Sequence, residues 1–136
     1  MWTKKYVTNL SYSIVGLAIK VRKELGPGLL ENVYEHCLKY ELQKQGYDVI
    51  QQSVVPVYYD DIYIDTNLRF DLLVEETILI EIKACENLLP VHDAQIMTYM
   101  KLLRVPQGLL INFFTNNISK TSKPFVNEIF RNLLDE

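Results

Sequence analysis

Two short apolar runs, Arg69-Phe-Asp71-Leu-Leu-Val74 and Ile78-Leu-Ile-Glu81-Ile-Lys83, are separated only by Glu75, Glu76 and Thr77. Phe70, Leu72 and Val74 alternate on the first run, and Ile78, Ile80 and Ile82 on the second, which is the period of a β-strand. A three-residue turn pairs Val74 with Ile78, Leu72 with Ile80 and Phe70 with Ile82, so all six apolar side chains share one face. The same register sets Asp71 directly across from Glu81, Leu73 across from Leu79 and Arg69 across from Lys83. A slip of one residue scrambles both faces, so the register is strongly specified.

Opposed like charges destabilise a strand pair, and carboxylates are seldom buried unless they are paired or bind a metal. A divalent cation between Asp71 and Glu81 removes the penalty. The alternative is an ordinary wet sheet face on which Arg69 and Lys83 neutralise the two acids. Other chemistries find no support. The sequence has no HExxH, no serine elbow and no phosphate loop, since Gly26-Pro-Gly28 follows a helical pattern rather than a strand. Oxygen donors suit magnesium or manganese better than zinc.

The remaining pattern sets up a mixed α/β fold. Helices are expected over Asn9 to Glu24, with Ile14, Leu17, Ala18 and Val21 inward, and over Leu29 to Gln45, ended by Gly46. The inner face of the second carries Leu30, Val33, Tyr34, Cys37, Leu38 and Leu42. A strand over Val49 to Tyr59, a turn at Asp60-Asp61 and a return strand over Ile62 to Ile64 precede the hairpin of Asn67 to Ala84. A helix over Val91 to Leu103, a buried strand over Gly108 to Phe114, a loop at Asn116-Asn117 and an amphipathic helix over Pro124 to Leu134 complete the chain. The order α-α-β-β-β-α-β-α predicts a mixed sheet with helices packed on it, as one domain over residues 1–136.

Charge and cysteine content narrow the setting. A net charge of −3 leaves no basic footprint of a general nucleic-acid binder. Cys37 and Cys85 show no zinc spacing, and the expected environment is a reducing cytoplasm. No membrane span is expected, since Ile14 to Ile19 is short and continues into Lys20 and Arg22.

Several polar groups stand near these elements. Glu31 falls in the first turn of the second helix, where an acid is favoured by the helix dipole alone. His92, Gln95 and Tyr99 form a polar stripe on the helix after the hairpin. That stripe reads first as a solvated face, although Gln95 and Tyr99 are spaced to orient water or contact a phosphate.

Gly28-Leu-Leu-Glu31-Asn-Val-Tyr34 resembles the signature of the bacterial and archaeal GxxExxY proteins. The likeness continues through Asp71-Leu-Leu-Val, Glu81-Ile-Lys83-Ala, His92-Asp-Ala-Gln95-Ile-Met-Thr-Tyr99 and Gly108-Leu-Leu-Ile-Asn112-Phe113, covering about residues 10 to 115. That family is grouped with the PD-(D/E)XK nuclease-like superfamily. The resemblance implies a restriction-endonuclease-like αβββαβ core and a magnesium- or manganese-dependent nuclease acting on DNA or RNA. It implies Asp71, Glu81 and the carbonyl of Ile82 as metal ligands and Lys83 as the residue that orients water or stabilises phosphoryl charge. Glu31 is then the helix acid, and Gln95 and Tyr99 are similar to the QxxxY element of RecB-type nucleases. Phe70 stands where the superfamily's name has Pro, and the tail after Phe114 departs from the family's usual ending. Two other readings stand beside it: a non-catalytic nucleic-acid- or protein-binding module that keeps the fold, and a homodimer whose groove forms between subunits.

Overall fold

In the computed structural model, which describes residues 1–136, helix α1 (Lys4–Leu25) starts at Thr3, whose side chain accepts the Tyr6 N–H. Val7, Leu10, Ile14, Ala18 and Val21 recur every three or four residues and form its buried stripe. The chain then turns through Gly26 and Gly28, with φ of 75° and 92°, a backbone that glycine adopts without a Cβ clash. Helix α2 (Glu31–Lys44) returns, burying Tyr34, Leu38 and Leu42. The Tyr34 hydroxyl donates to the Gly26 carbonyl at 2.6 Å and accepts the Leu29 N–H, so the turn is tied to the helix it precedes. The Tyr34 ring stacks on Phe113 with centroids 4.6 Å apart. Leu30, expected inside, is exposed as the residue before the helix.

Strand β1 (Val49–Val54) is cut short at Val55-Pro56, and β2 (Val57–Tyr59) leaves to pair with β3 (Ile62–Ile64) as a separate two-stranded sheet. The single strand expected over Val49 to Tyr59 is thus two, because proline has no N–H to continue a ladder. The main sheet continues with β4 (Arg69–Val74) and β5 (Ile78–Lys83), helix α3 (Pro90–Leu103) and β6 (Gln107–Asn112). The tail differs from expectation. After a short α4 (Ile118–Thr121), an edge strand β7 (Lys123–Val126) and a single-turn α5 (Glu128–Arg131) stand in place of the helix expected over Pro124 to Leu134. Phe125 and Val126 pair with Gly108 and Gln107, and an edge strand tolerates Pro124.

The five-stranded sheet has the order β1-β4-β5-β6-β7. Only β5 and β6 run parallel, joined by α3. Helices α1 and α2 cover Leu72, Val74, Ile78, Ile80 and Ile82 on one face. Helix α3 covers Phe70, Leu73, Leu79 and Leu110 on the other. A Cβ at Gly108 would lie 2.9 Å from Met100 Sδ, so α3 meets β6 with no room for a side chain between them. This mixed sheet flanked by helices is the predicted fold class. No helix is long and apolar enough to cross a membrane.

Candidate functional site

The β4–β5 hairpin pairs as expected at its closed end, with Val74 opposite Ile78, Leu73 opposite Leu79 and Leu72 opposite Ile80. There the ladder stops. Phe70 does not pair with Ile82; β4 stays with β1 instead, with Phe70 opposite Ser53. At the split, Asp71 Oδ2 accepts the Ile82 N–H at 2.7 Å, and Glu81 Oε2 accepts the Asp71 N–H at 3.2 Å. Each acid satisfies a backbone donor of the opposite strand with its side chain. The alternation expected along β4 also breaks at this point. Leu72 faces α1 and α2 whereas Phe70 lies in the cluster beneath α3, so the six apolar residues do not share one face.

Glu81 is the most perturbed acid of the site. It is only 7% exposed, and its Oε1 has no hydrogen-bond partner. Burial, then the charge of Asp71 and a side-chain hydrogen bond with it, push its pKa up to about 9 against the opposing pull of the Asp71 N–H and Lys83. An orphaned buried carboxylate oxygen calls for a proton or a cation. Lys83 is half-buried and forms no ion pair. Arg69 does not neutralise Asp71 either; its Nη1 donates to the Gln52 carbonyl at 2.8 Å. The wet, self-neutralised sheet face is therefore not what forms.

Helix α2 contributes a different acid from the one expected. Glu31 is exposed at the rim of a groove of about 440 Å³ that Asp71 and Glu35 also line. Glu35, one turn further along, is buried. Gln51 Nε2 donates to its Oε2 at 2.7 Å and Gln52 Nε2 to its Oε1 at 2.9 Å. Gln52 Nε2 also donates to Asp71 Oδ1 at 3.0 Å. Burial raises the Glu35 pKa, with the charge of Asp71 adding to it and the two glutamine amides opposing it. A charge at Glu35, between Tyr34 and the inward Leu38, was the available signal, the same one that singles out Asp71 and Glu81.

Helix α3 does not present the expected stripe. Gln95 is exposed and Tyr99 is buried with Phe70, Leu73 and Ile96. Neither hydrogen-bonds to Asp71, Glu81 or Lys83; Tyr99 packs into the apolar cluster beneath α3 and Gln95 is exposed. His92 caps the helix, its Nδ1 accepting the Leu89 N–H at 3.1 Å.

No three His, Cys, Asp or Glu side chains form a ready-made metal cage. The oxygen donors at the split are the two carboxylates, since the Ile82 group held there is its N–H, bound to Asp71. That set fits a hard cation that keeps several waters, and the partnerless Glu81 Oε1 is the atom such an ion would satisfy. A family model described as PD-(D/E)XK nuclease superfamily matches residues 8–124. The chain belongs to that superfamily. Neither the curated proteins nor the solved structures give a match. Membership in the PD-(D/E)XK superfamily agrees with the mixed sheet described above, supports nuclease function and implies a nucleic-acid substrate. PD-(D/E)XK nucleases generally use divalent metals.

Proposed function

We propose that this chain is a magnesium- or manganese-dependent phosphodiesterase of the GxxExxY type, a single nuclease domain cutting DNA or RNA. The observation that carries the reading is the split hairpin, with Asp71 and Glu81 facing each other and Glu81 Oε1 buried without a partner. In this reading Asp71, Glu81 and the Ile82 carbonyl hold the cation. When bound, the cation supplies the Lewis-acid charge that polarises a phosphodiester and acidifies a water. Lys83, free of any carboxylate partner, places positive charge where negative charge builds on the phosphoryl group. Glu35 takes the part of helix acid that the signature assigns to Glu31, and Glu31 edges the groove along which the substrate lies. Gln95 is exposed for contact with the nucleic-acid backbone. Tyr99 anchors α3 to the sheet and keeps the floor of the site rigid.

The test is calorimetric titration of Mn²⁺ and Mg²⁺ into chelator-stripped protein, beside Asp71→Ala and Glu81→Ala. It is run with and without a phosphorothioate oligonucleotide, because magnesium often needs a substrate phosphate to complete its shell. Uptake by the wild type alone, followed by cleavage of one nucleic-acid class, supports the reading. Nucleic-acid binding with neither metal uptake nor cleavage would replace it with the non-catalytic module. Elution volume on a sizing column, with and without oligonucleotide, addresses a groove shared between two copies.

A further inference from the structure

Gln52 combines two features that the ladder does not need. Its φ is 49°, a left-handed backbone that a residue with a Cβ adopts only at a cost. It also faces Asp71 across an unbroken register, between the pairs Gln51–Leu72 and Ser53–Phe70, without itself pairing. The kink has a definite consequence. Consecutive side chains of a regular strand point to opposite faces, yet Gln51 and Gln52 both reach the Glu35 carboxylate, one on each oxygen. Arg69 holds the kink by donating to the Gln52 carbonyl.

We infer that Gln52 is a positioning residue, whose single side-chain amide bridges Glu35 and Asp71 and fixes the two carboxylates side by side at the groove. Its Nε2 lies 2.9 Å from Glu35 Oε1 and 3.0 Å from Asp71 Oδ1. An amide nitrogen has two protons, one for each acid. A glutamine satisfies both without adding charge, whereas a lysine at this place would compete with a cation. Asp71 is then held at both oxygens, by Gln52 and by the Ile82 N–H, so its rotamer is set before any ion arrives. Strain at residue 52 is what makes the bridge reachable.

The inference rests on the metal-dependent reading, and two measurements keep their failures apart. The first is Mn²⁺ titration of the chelator-stripped wild type, Gln52→Gly and Gln52→Asn, with thermal melting of each. Glycine accepts the left-handed backbone and asparagine tolerates it, but glycine has no amide and asparagine's is one methylene short. Both variants should melt near the wild type yet bind Mn²⁺ roughly 10–100-fold more weakly, the usual loss when a partner of a metal ligand is removed. Wild-type affinity in both would overturn the inference. The second is independent of metal: the side-chain amide proton shifts of Gln52, assigned by their absence in Gln52→Gly. Carboxylates are stronger acceptors than amides, so Glu35→Gln should move one of the two protons upfield and Asp71→Asn the other. If neither proton moves, the bridge does not exist in solution and Gln52 positions nothing. A wild type that takes up no Mn²⁺ either alone or with the phosphorothioate oligonucleotide refutes only the metal reading, and the amide shifts still decide the role of Gln52.

Discussion

At the closed end of the β4–β5 hairpin, Leu72 faces Ile80 and Val74 faces Ile78, and the side chains of all four are fully buried beneath α1 and α2. At the open end of the same hairpin, Asp71 and Glu81 take each other's backbone N–H groups and the strands part. Sequence distance between the two ends is small, but their physics is opposed. The closed end gains from removing apolar surface from water, and the open end bears the desolvation of a carboxylate. A site of this kind is affordable only because it grows from an end that is already well packed.

The sharpest way to break the contrast is to substitute on both sides of it. Ile80→Ala should destabilise the protein by about 2–5 kcal/mol, the usual range for truncating a fully buried large aliphatic side chain. Glu81→Gln, one position away, should raise rather than lower stability at neutral pH, because the ionised wild-type group must take up a proton to fold whereas glutamine is already neutral, yet it should abolish metal uptake. Urea unfolding at neutral pH measures both. Equal destabilisation by the two variants would show that the ends are not distinct.

Changing pH probes the open end alone. Folded Glu81 holds its proton up to about 9, whereas the same group in the unfolded chain loses it near the ordinary carboxylate value. Unfolding therefore releases a proton throughout that window, and rising pH favours the unfolded chain. In chelator, the wild type should lose up to about 2–3 kcal/mol between roughly pH 6 and pH 8 through this group, a ceiling set by one proton per molecule. Glu81→Gln should show a flatter profile. Because a metal binds the ionised form, added Mn²⁺ should stabilise the wild type more at the higher pH than at the lower. Parallel profiles for wild type and variant would remove the buried proton from the account.

The same contrast explains what could be read from the sequence. Period-two alternation fixes the closed end and, by extension, brings Asp71 opposite Glu81. It does not reveal that the two carboxylates capture N–H groups, which ends the ladder and turns Phe70 to the α3 face. Helix α2 hides its site acid in a related way. The helix dipole explains an acid at Glu31 with no tertiary contact, while Glu35 becomes legible only by noticing a charge beside Tyr34 and Leu38 on a buried stripe. Nothing in a Gln-Gln pair signals a left-handed residue, a conformation that usually calls for glycine or asparagine. The tail is ambiguous in sequence because Phe125 and Val126 fit a helical stripe as well as an edge strand, and only their pairing with β6 separates the two.

The closed end is also pinned from outside. The Trp2 indole N–H donates to the Thr77 hydroxyl at 2.9 Å, and that hydroxyl donates to the Glu75 carbonyl at 2.6 Å. Thr77→Val keeps the shape and removes both bonds, so it should cost about 1–2 kcal/mol. Metal binding at the far end should be unchanged. A matching loss of Mn²⁺ affinity would mean that the two ends are coupled after all.

The smallest effect expected lies in the turn itself. Glu75 and Glu76 have φ of 53° and 49°, two successive left-handed residues that carry Cβ atoms. Glu75 offsets its strain locally: its N–H donates to the Asp48 carbonyl, and its carboxylate accepts the Asp48 N–H at 2.8 Å. Glu76 makes no hydrogen bond with its side chain, so its strain has no local compensation. Glu76→Gly should therefore stabilise the hairpin by up to about 1 kcal/mol, the relief of left-handed strain less the greater freedom glycine gives the unfolded chain. Glu75→Gly relieves the same strain but forfeits the carboxylate bond to Asp48, and should come out near neutral or worse. Denaturation midpoints of the pair separate backbone strain from side-chain compensation. Equal gains in both would show that the Asp48 contact contributes nothing to holding the closed end in register.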